Sequence, residues 1–204
     1  MELSAVFFDL DGVLVDSFEA NLALLNGVAR NFGYPNIDSK VAKELFSTSI
    51  EEAIKEHYPE IKNYHFGKYM QSNPNVYFEN LQENKGAKEL LDNLEMRGIH
   101  SAVITNANSA VARDILETKN LLPNILVGAG DEYRAKPAPD MIFRACELLN
   151  VPPWEVLFVG DSSKDRDAAM AAGCLFAGFG ITGNFTIREL SEVLPILEGA
   201  GPSS

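Results

Sequence analysis

A short apolar run that ends in two closely spaced acids constrains this chain more than any other feature. Ala5-Val6-Phe7-Phe8 is followed by Asp9 and, after one intervening residue, by Asp11. Such a run is typical of a strand buried on both faces, so its carboxyl end would place both acids at the rim of a sheet. Two carboxylates held this close repel each other unless a cation neutralises them or one stays protonated, and both arrangements suit chemistry on a phosphate. The alternative is a strand followed by an ordinary turn at Asp11-Gly12.

Three further apolar runs lead into residues that can bind a phosphate or a cation. They are residues 99–104 before Thr105 and Asn106, residues 125–129 before Lys136, and residues 156–159 before Asp161 and Asp165. In an open parallel sheet the ligand crevice lies outside the carboxyl ends of the strands. The sequence therefore predicts that all four sets of side chains face one site.

These four motifs, in this order, resemble those of the haloacid dehalogenase superfamily of phosphatases. They read Asp9-Leu10-Asp11-Gly12-Val13, Thr105-Asn106, Lys136-Pro137 and Gly160-Asp161-Ser162-Ser163-Lys164-Asp165. The segment 167–173 resembles the helix and turn that follow the fourth motif in the phosphoglycolate phosphatase-like and β-phosphoglucomutase-like branch. The resemblance covers residues 4–17 and 84–182, whereas residues 18–83 are only loosely similar to the helical cap of that branch.

The chain is expected to be an α/β protein whose core has a doubly wound, Rossmann-like parallel sheet, because strand and helix patterns alternate along it. Between the first two strands, however, the patterns are helical. Apolar residues recur at helical spacing from Phe18 to Phe32, and Gly33 is a typical helix stop. The predicted core is 1–15 and 84–204, with an inserted all-helical cap domain at 16–83 that would cover the site as a lid. A last amphipathic helix is predicted at 186–197.

Composition and charge exclude several classes of function. A net charge of −12 argues against nucleic-acid binding, because a polyanion would be repelled and no basic stripe is present. Cys146 and Cys174 lie in apolar segments, which favours buried free thiols and a reducing compartment. The sequence shows no charged leader and no run of about 20 apolar residues, so we expect a cytoplasmic protein without a membrane span. The expected state is a monomer or a homodimer.

The resemblance implies a role for each acid of the first motif. Asp9 would be the nucleophile that attacks phosphorus and forms an aspartyl-phosphate. Asp11 would be the general acid and base, which first protonates the departing alkoxide and then takes a proton from water. The resemblance also implies Mg2+ as the cofactor, held by the carboxylates of Asp9 and Asp161 and by the backbone carbonyl of Asp11.

The remaining motifs would bind the phosphate and support the first two acids. Thr105 would donate its hydroxyl and Asn106 its backbone N–H to phosphate oxygens. Lys136 would steady both the nucleophile and the charge on the transferring group. Asp165 would orient a metal ligand or pair with Lys136.

Two features concern the identity of the substrate. Residues Phe46 to Ser49, together with Phe18 and Glu19, occupy the part of the cap where this family often places substrate selectors. Asn84-Lys85-Gly86 stands where relatives commonly have a Pro-Gly turn. This departure leaves the hydrolytic residues in place, but it argues against carrying over phosphoglycolate as the substrate.

The sequence thus predicts a Mg2+-dependent phosphatase that acts on a small phosphorylated metabolite. A sugar-phosphate mutase uses the same core and remains an alternative. A non-catalytic phosphometabolite-binding protein is a second alternative, which the complete set of predicted catalytic residues disfavours. Dehalogenase activity is disfavoured, because that branch lacks the second acid that Asp11 provides.

Overall fold

A computed structural model of the protein describes residues 3–45, 50–129 and 133–199. The chain divides into two compact units. The larger contains Met1–Val15 and Glu83–Ser204, and the smaller contains Asp16–Gln82. That the smaller unit acts as a cap stays a prediction.

The strands and helices alternate through the larger unit, as the sequence patterns indicate. The strands are β1 (Ala5–Phe8), β2 (Val15–Asp16), β3 (Gln82–Glu83), β4 (His100–Asn108), β5 (Ile125–Ala129), β6 (Val156–Gly160), β7 (Leu175–Phe179) and β8 (Phe185–Ile187). The α-helices are α1 (Phe18–Arg30), α2 (Ser39–Leu45), α3 (Ile50–His57), α4 (Asn63–Ser72), α5 (Pro74–Phe78), α6 (Ala87–Met96), α7 (Ser109–Thr118), α8 (Asp140–Leu149), α9 (Ser163–Ala172) and α10 (Val193–Leu197). Short 3₁₀ helices lie at Pro153–Glu155 and Leu190–Glu192.

The larger unit contains a six-stranded sheet in the order β5-β4-β1-β6-β7-β8, in which every neighbouring pair is parallel. This arrangement confirms the predicted fold class. Phe8, the last residue of β1, is in register with Val103 of β4 and Val159 of β6. The chain order runs outward in both directions from β1, so the carboxyl end of β1 lies at a topological switch point, where ligands bind in open α/β sheets.

Burial explains why the strand sequences are continuously apolar. All four residues of β1 are fully buried, and so are the first four residues of β6. Phe7 and Phe158 share a core cluster with Met141 and Ile142 of α8 and Ala168 of α9. A strand covered in this way has no polar face, which is why its sequence does not alternate.

The smaller unit is built around α1. Leu25, Val28 and Ala29 of this helix form a buried cluster with Tyr58 and Ile61. The helix ends at Arg30, and the backbone then turns through Gly33 at a φ of +78°, as the stop signal predicts.

The predicted helix at 186–197 is wrong over its first half. Residues 185–187 form β8, which pairs with β7, and an α-helix follows only at Val193–Leu197. The buried residues of this segment are Ile187, Leu190 and Val193. Their spacing of three matches a helical face even though the first belongs to a strand, so the period alone could not separate the two structures.

In the part of the chain that the structure describes, no helix combines the length and the apolar character needed to cross a membrane. Cys146 and Cys174 are buried free cysteines, as predicted.

Candidate active site

The loop after β1 positions the acid pair. The N–H of Asp9 donates to the carbonyl of Val159 (2.9 Å), which continues the β1–β6 pairing to the first acid. The chain then turns tightly, because the N–H groups of Leu14 and Val15 both donate back to the carbonyl of Leu10 (3.0 and 3.1 Å). Asp11 lies within this turn and is partly exposed. The loop of residues 9–15 is called the acid loop below.

Gly12 is required by the geometry of the acid loop. Its φ is +82°, a conformation that other residues rarely adopt. A Cβ atom at this position would also collide with the carboxylate of Asp161. The backbone of the acid loop therefore lies directly against the acid that follows β6.

Lys136 lies between two of the acids. Its Nζ atom is 2.8 Å from Oδ1 of Asp9 and 2.6 Å from Oδ1 of Asp165, and it donates to the carbonyl of Ile104 (2.8 Å). These three partners match the three hydrogens of an ammonium group. Burial lowers the pKa of Lys136. The negative charges of Asp9 and Asp165 raise it, and the net shift of the Lys136 pKa is upward. The lysine side chain is therefore a fixed positive charge that has almost no contact with water.

Three carboxylates meet at this end of the sheet. Asp9, Asp161 and Asp165 each place an oxygen within 4.8 Å of the others. Burial raises the pKa of Asp9 to about 7, an effect that Lys136 opposes and Asp165 reinforces. Burial and the charge of Asp165 raise the pKa of Asp161 to about 6. A hard cation bound by these oxygens would relieve the cost of ionising both groups, so the site fits a divalent metal of the Mg2+ type.

Asp165 is fixed by the first turn of α9. Its Oδ2 atom accepts hydrogen bonds from Oγ (2.5 Å) and N (3.1 Å) of Ser162, and Ser162 caps the helix by accepting from the N–H of Asp165. A Cβ atom on Gly160 would collide with Asp165. Fixed in this way, Asp165 forms its ion pair with Lys136, which is one of the two predicted alternatives for this acid.

The second motif reveals a contact that was not predicted. The side chain of Asn106 binds the main chain of Lys136, because Oδ1 accepts from its N–H (2.8 Å) and Nδ2 donates to its carbonyl (3.0 Å). Asn106 thus holds the segment that carries the lysine. The following helix begins at Ser109 and is capped by Asn108, so Asn106 lies before the helix. Polar character marked Asn106 as a candidate, but no local pattern indicates a partner 30 residues away.

Thr105 is buried and lies within β4, because the strand runs past the predicted end at residue 104 to Asn108. Its Oγ1 atom accepts a hydrogen bond from the N–H of Ala107 (3.0 Å), which leaves the hydroxyl hydrogen available for another acceptor. The structure thus brings together Asp9, Asp161, Asp165 and Lys136, with Thr105 directly after the carbonyl that Lys136 binds.

Two of the predicted specificity residues, Phe18 and Glu19, lie in the smaller unit. Phe18 lines a mainly apolar cavity of about 230 Å³ within that unit, together with Leu25 and Phe66. Glu19 is exposed and accepts a hydrogen bond from Ser39 (2.9 Å). Residues 46–49 lie outside the described residues.

The fold and the site together define a class of enzyme. The model of the family described as haloacid dehalogenase-like hydrolase matches residues 6–179, and the chain belongs to this family. The predicted membership is confirmed. The protein is a hydrolase of this family and is similar to its phosphatases.

Individual relatives show how far this similarity extends. The chain is 30% identical to a phosphoglycolate phosphatase of Neisseria meningitidis over 190 residues, which cover 86% of this chain and 80% of the relative. It is 27% identical to an N-acetylmuramic acid 6-phosphate phosphatase of Pseudomonas aeruginosa over 189 residues, with 85% and 80% coverage. A crystal structure of a subfamily IA hydrolase of the superfamily from Geobacter sulfurreducens superimposes with a TM-score of 0.77 at 26% identity, covering 96% of each chain.

Proposed function

We propose that the protein is a Mg2+-dependent phosphatase that hydrolyses a small phosphorylated metabolite through an aspartyl-phosphate on Asp9. One observation carries the proposal: Lys136 is buried in contact with Asp9 and Asp165 at the switch point of the sheet. The two acids neutralise the lysine, so the site attracts an anionic phosphate only when a metal cation offsets the acids. Buried acids, a lysine and a metal cation in one site suit phosphoryl transfer.

Asp9 is the proposed nucleophile. Its Oδ1 atom accepts hydrogen bonds from Nζ of Lys136 (2.8 Å) and from the N–H of Leu10 (2.7 Å). These two donors fix the orientation of the carboxylate and favour its ionised form. A carboxylate oxygen of Asp9 would form a bond to phosphorus while the bond between phosphorus and the substrate oxygen breaks.

Asp11 is the proposed general acid and base. It would give its proton to the departing alkoxide, so that the leaving group is a neutral alcohol. Asp11 would then take a proton from a water molecule as that water attacks the aspartyl-phosphate. The bond between the Asp9 oxygen and phosphorus breaks, inorganic phosphate leaves, and both acids return to their starting states.

The substrate phosphate would be bound by Thr105, Asn106 and Lys136. The hydroxyl of Thr105 and the backbone N–H of Asn106 are the proposed donors. The side chain of Asn106 contributes indirectly, because its two hydrogen bonds to the main chain of Lys136 hold the lysine segment against the end of β4.

Mg2+ would be held by the carboxylates of Asp9 and Asp161 and by the backbone carbonyl of Asp11. The oxygen donors and the raised pKa values of Asp9 and Asp161 support a hard divalent ion at this position. When bound, the ion would supply positive charge that offsets the repulsion between the substrate phosphate and the acids.

The substrate is proposed only as a class. The two relatives named above share dephosphorylation and differ in their substrates. Phe18 and the apolar cavity beside it are the proposed contributors to substrate choice within the smaller unit. We also propose that the protein acts in the cytoplasm, as a monomer or a homodimer.

The test is the release of inorganic phosphate by the purified protein. An aryl phosphate and a panel of phosphorylated metabolites, including phosphoglycolate and sugar 6-phosphates, are incubated with Mg2+ or with a chelator. We expect Mg2+-dependent phosphate release from at least one compound, and none from Asp9→Asn. A folded protein that releases no phosphate from any compound under either condition would contradict the proposal.

A further inference from the structure

We propose that Asn84 is a positioning residue that holds the acid loop in its catalytic conformation, an inference that rests on the proposed function. Nδ2 of Asn84 donates to the carbonyls of Gly12 (3.0 Å) and Val13 (2.9 Å). Its backbone N–H donates to the carbonyl of Leu14 (3.0 Å). One residue therefore binds three successive carbonyls of the loop that carries Asp9 and Asp11.

The chemistry of an asparagine side chain suits this position. A primary amide has two hydrogens and can satisfy two carbonyls at once. Val13 and Leu14 are fully buried, so the loop backbone near them has little access to water. A carbonyl that loses its donor in such a place is destabilised and tends to turn towards a new partner.

Asn84 is itself held at the start of α6 in the larger unit. Its carbonyl accepts from the N–H of Ala87 (3.0 Å), which closes the turn that begins α6. That helix is anchored in the core by Leu90 and Leu94, both buried. Asn84 therefore fixes the acid loop relative to α6.

Gly12 is fixed from two sides by these contacts. Its carbonyl binds Asn84, and its Cα faces the carboxylate of Asp161. Without Asn84, the peptides on either side of Val13 would lose their donor, and the turn that follows Asp11 would be held less firmly against Asp161. The Asp11 side chain and its backbone carbonyl, which is a proposed metal ligand, would move with it.

Asn84 acts through the loop and is not assigned to the groups that bind the phosphate, Thr105, Asn106 and Lys136. Loss of its amide should therefore lower kcat and change KM little. A displacement of about 1 Å in a catalytic group can cost ~100-fold in rate, so we expect a decrease in kcat of about 10- to 100-fold.

The experiment compares Asn84→Ala and Asn84→Asp with a matched control, Asn93→Ala. Asn93 lies in α6 and also donates from Nδ2 to a carbonyl, that of Glu89 (2.7 Å), but this partner belongs to the same helix and not to the acid loop. The readouts are kcat and KM for aryl phosphate, and amide hydrogen exchange of residues 10–15 measured without substrate. Should Asn84→Asp fail to fold, Asn84→Ala and the milder Asn84→Ser provide the comparison.

We expect faster exchange of the N–H groups of Gly12, Leu14 and Val15 and a lower kcat in the Asn84 variants, with neither change in Asn93→Ala. Unchanged exchange in Asn84→Ala would overturn the proposed anchoring, and faster exchange with wild-type kcat would overturn its catalytic consequence. If the wild-type protein releases no phosphate, the proposed function fails, and the exchange measurement still decides whether Asn84 holds the acid loop.

Discussion

Lys136 and Asp9 form a buried ion pair in which Nζ lies 2.8 Å from Oδ1. Only 3% of the lysine side chain and 12% of the aspartate side chain are exposed, so water screens their attraction weakly. Lys136 also forms an ion pair with Asp165, whose side chain is completely buried. A single cation therefore compensates two acids, and its removal affects both the stability of the core and the reactivity of Asp9.

Lys136→Met should destabilise the metal-free protein at neutral pH by about 3–5 kcal/mol, because it leaves two buried carboxylates without their cation. It should also lower kcat by about 100-fold or more, since the charge that stabilises the transferring phosphate is lost. Chemical denaturation and phosphate release measure the two effects. Lys164→Met is the control, because Lys164 is exposed on α9 and should leave both quantities near wild type.

Adding Asp165→Asn to Lys136→Met should restore part of the lost stability without restoring activity. The second change removes one uncompensated charge but returns no cation to the site. If the double variant is as unstable as Lys136→Met alone, the ion pair between Lys136 and Asp165 has no part in the effect.

Asp9→Asn should lower kcat by at least about 1000-fold while the protein stays folded, because an amide of the same shape cannot act as the nucleophile. Phosphate release and the far-ultraviolet circular dichroism spectrum check the two statements. Asp92→Asn is the control, since Asp92 is an exposed acid whose ion pair with Lys88 lies on α6. Residual activity in Asp9→Asn comparable with that of the wild type would rule out Asp9 as the nucleophile.

The stability of the metal-free protein should fall as the pH rises from about 4 to about 7. The pKa of Asp9 is raised from 3.8 to about 7 and that of Asp161 from 3.8 to about 6, so the folded protein binds protons that the unfolded chain has already released. Ionisation in the folded state is then unfavourable unless a cation binds.

Mg2+ should consequently raise Tm more at pH 7.5 than at pH 5, because the metal competes with protons for the same carboxylates. Thermal unfolding with Mg2+ and with chelator at both pH values measures this difference. An equal rise in Tm at the two pH values would contradict the assignment of Asp9 and Asp161 as ligands.

Gly12→Ala should weaken activation by Mg2+ and lower the free energy of unfolding by more than about 1–2 kcal/mol, the cost of the left-handed backbone alone. The added Cβ would push the carboxylate of Asp161 out of place. Gly98→Ala provides the comparison, because Gly98 has a φ of +69° and no atom within 4 Å of its Cβ position. Both variants should share the backbone cost, and only Gly12→Ala should require more Mg2+ for half-maximal activity.

The central strands and most of the acid cluster could be predicted from the sequence, for a local reason. The apolar segments of β1 and β6 are short, bounded by polar residues and too uniform to be amphipathic, so their burial and their ends could be recognised. Parallel pairing then brings Asp9 and Asp161 to the same edge of the sheet without any further information.

The contacts that support the acids could not be predicted in this way. Asn84 binds Gly12 across 72 residues of chain, and Asn106 binds Lys136 across 30. A single amide side chain belongs to no periodic sequence pattern that would indicate its partner. Such pairs form only when the helices and loops have packed. The same limit explains the wrong start of the last helix, where β8 depends on pairing with β7.

The central place of β1 in the sheet has a consequence for biosynthesis. Among the six strands of the sheet, β1 is translated before the others. Its two neighbours begin at His100 and Val156, so both of its edges remain unpaired until those segments have been synthesised. At about 5–20 residues per second, this delay lasts roughly 5 to 30 seconds, during which the apolar segment has no partner strand. Until then β1 is open to pairing with other chains, and the site stays incomplete before the region around Asp165 has been synthesised.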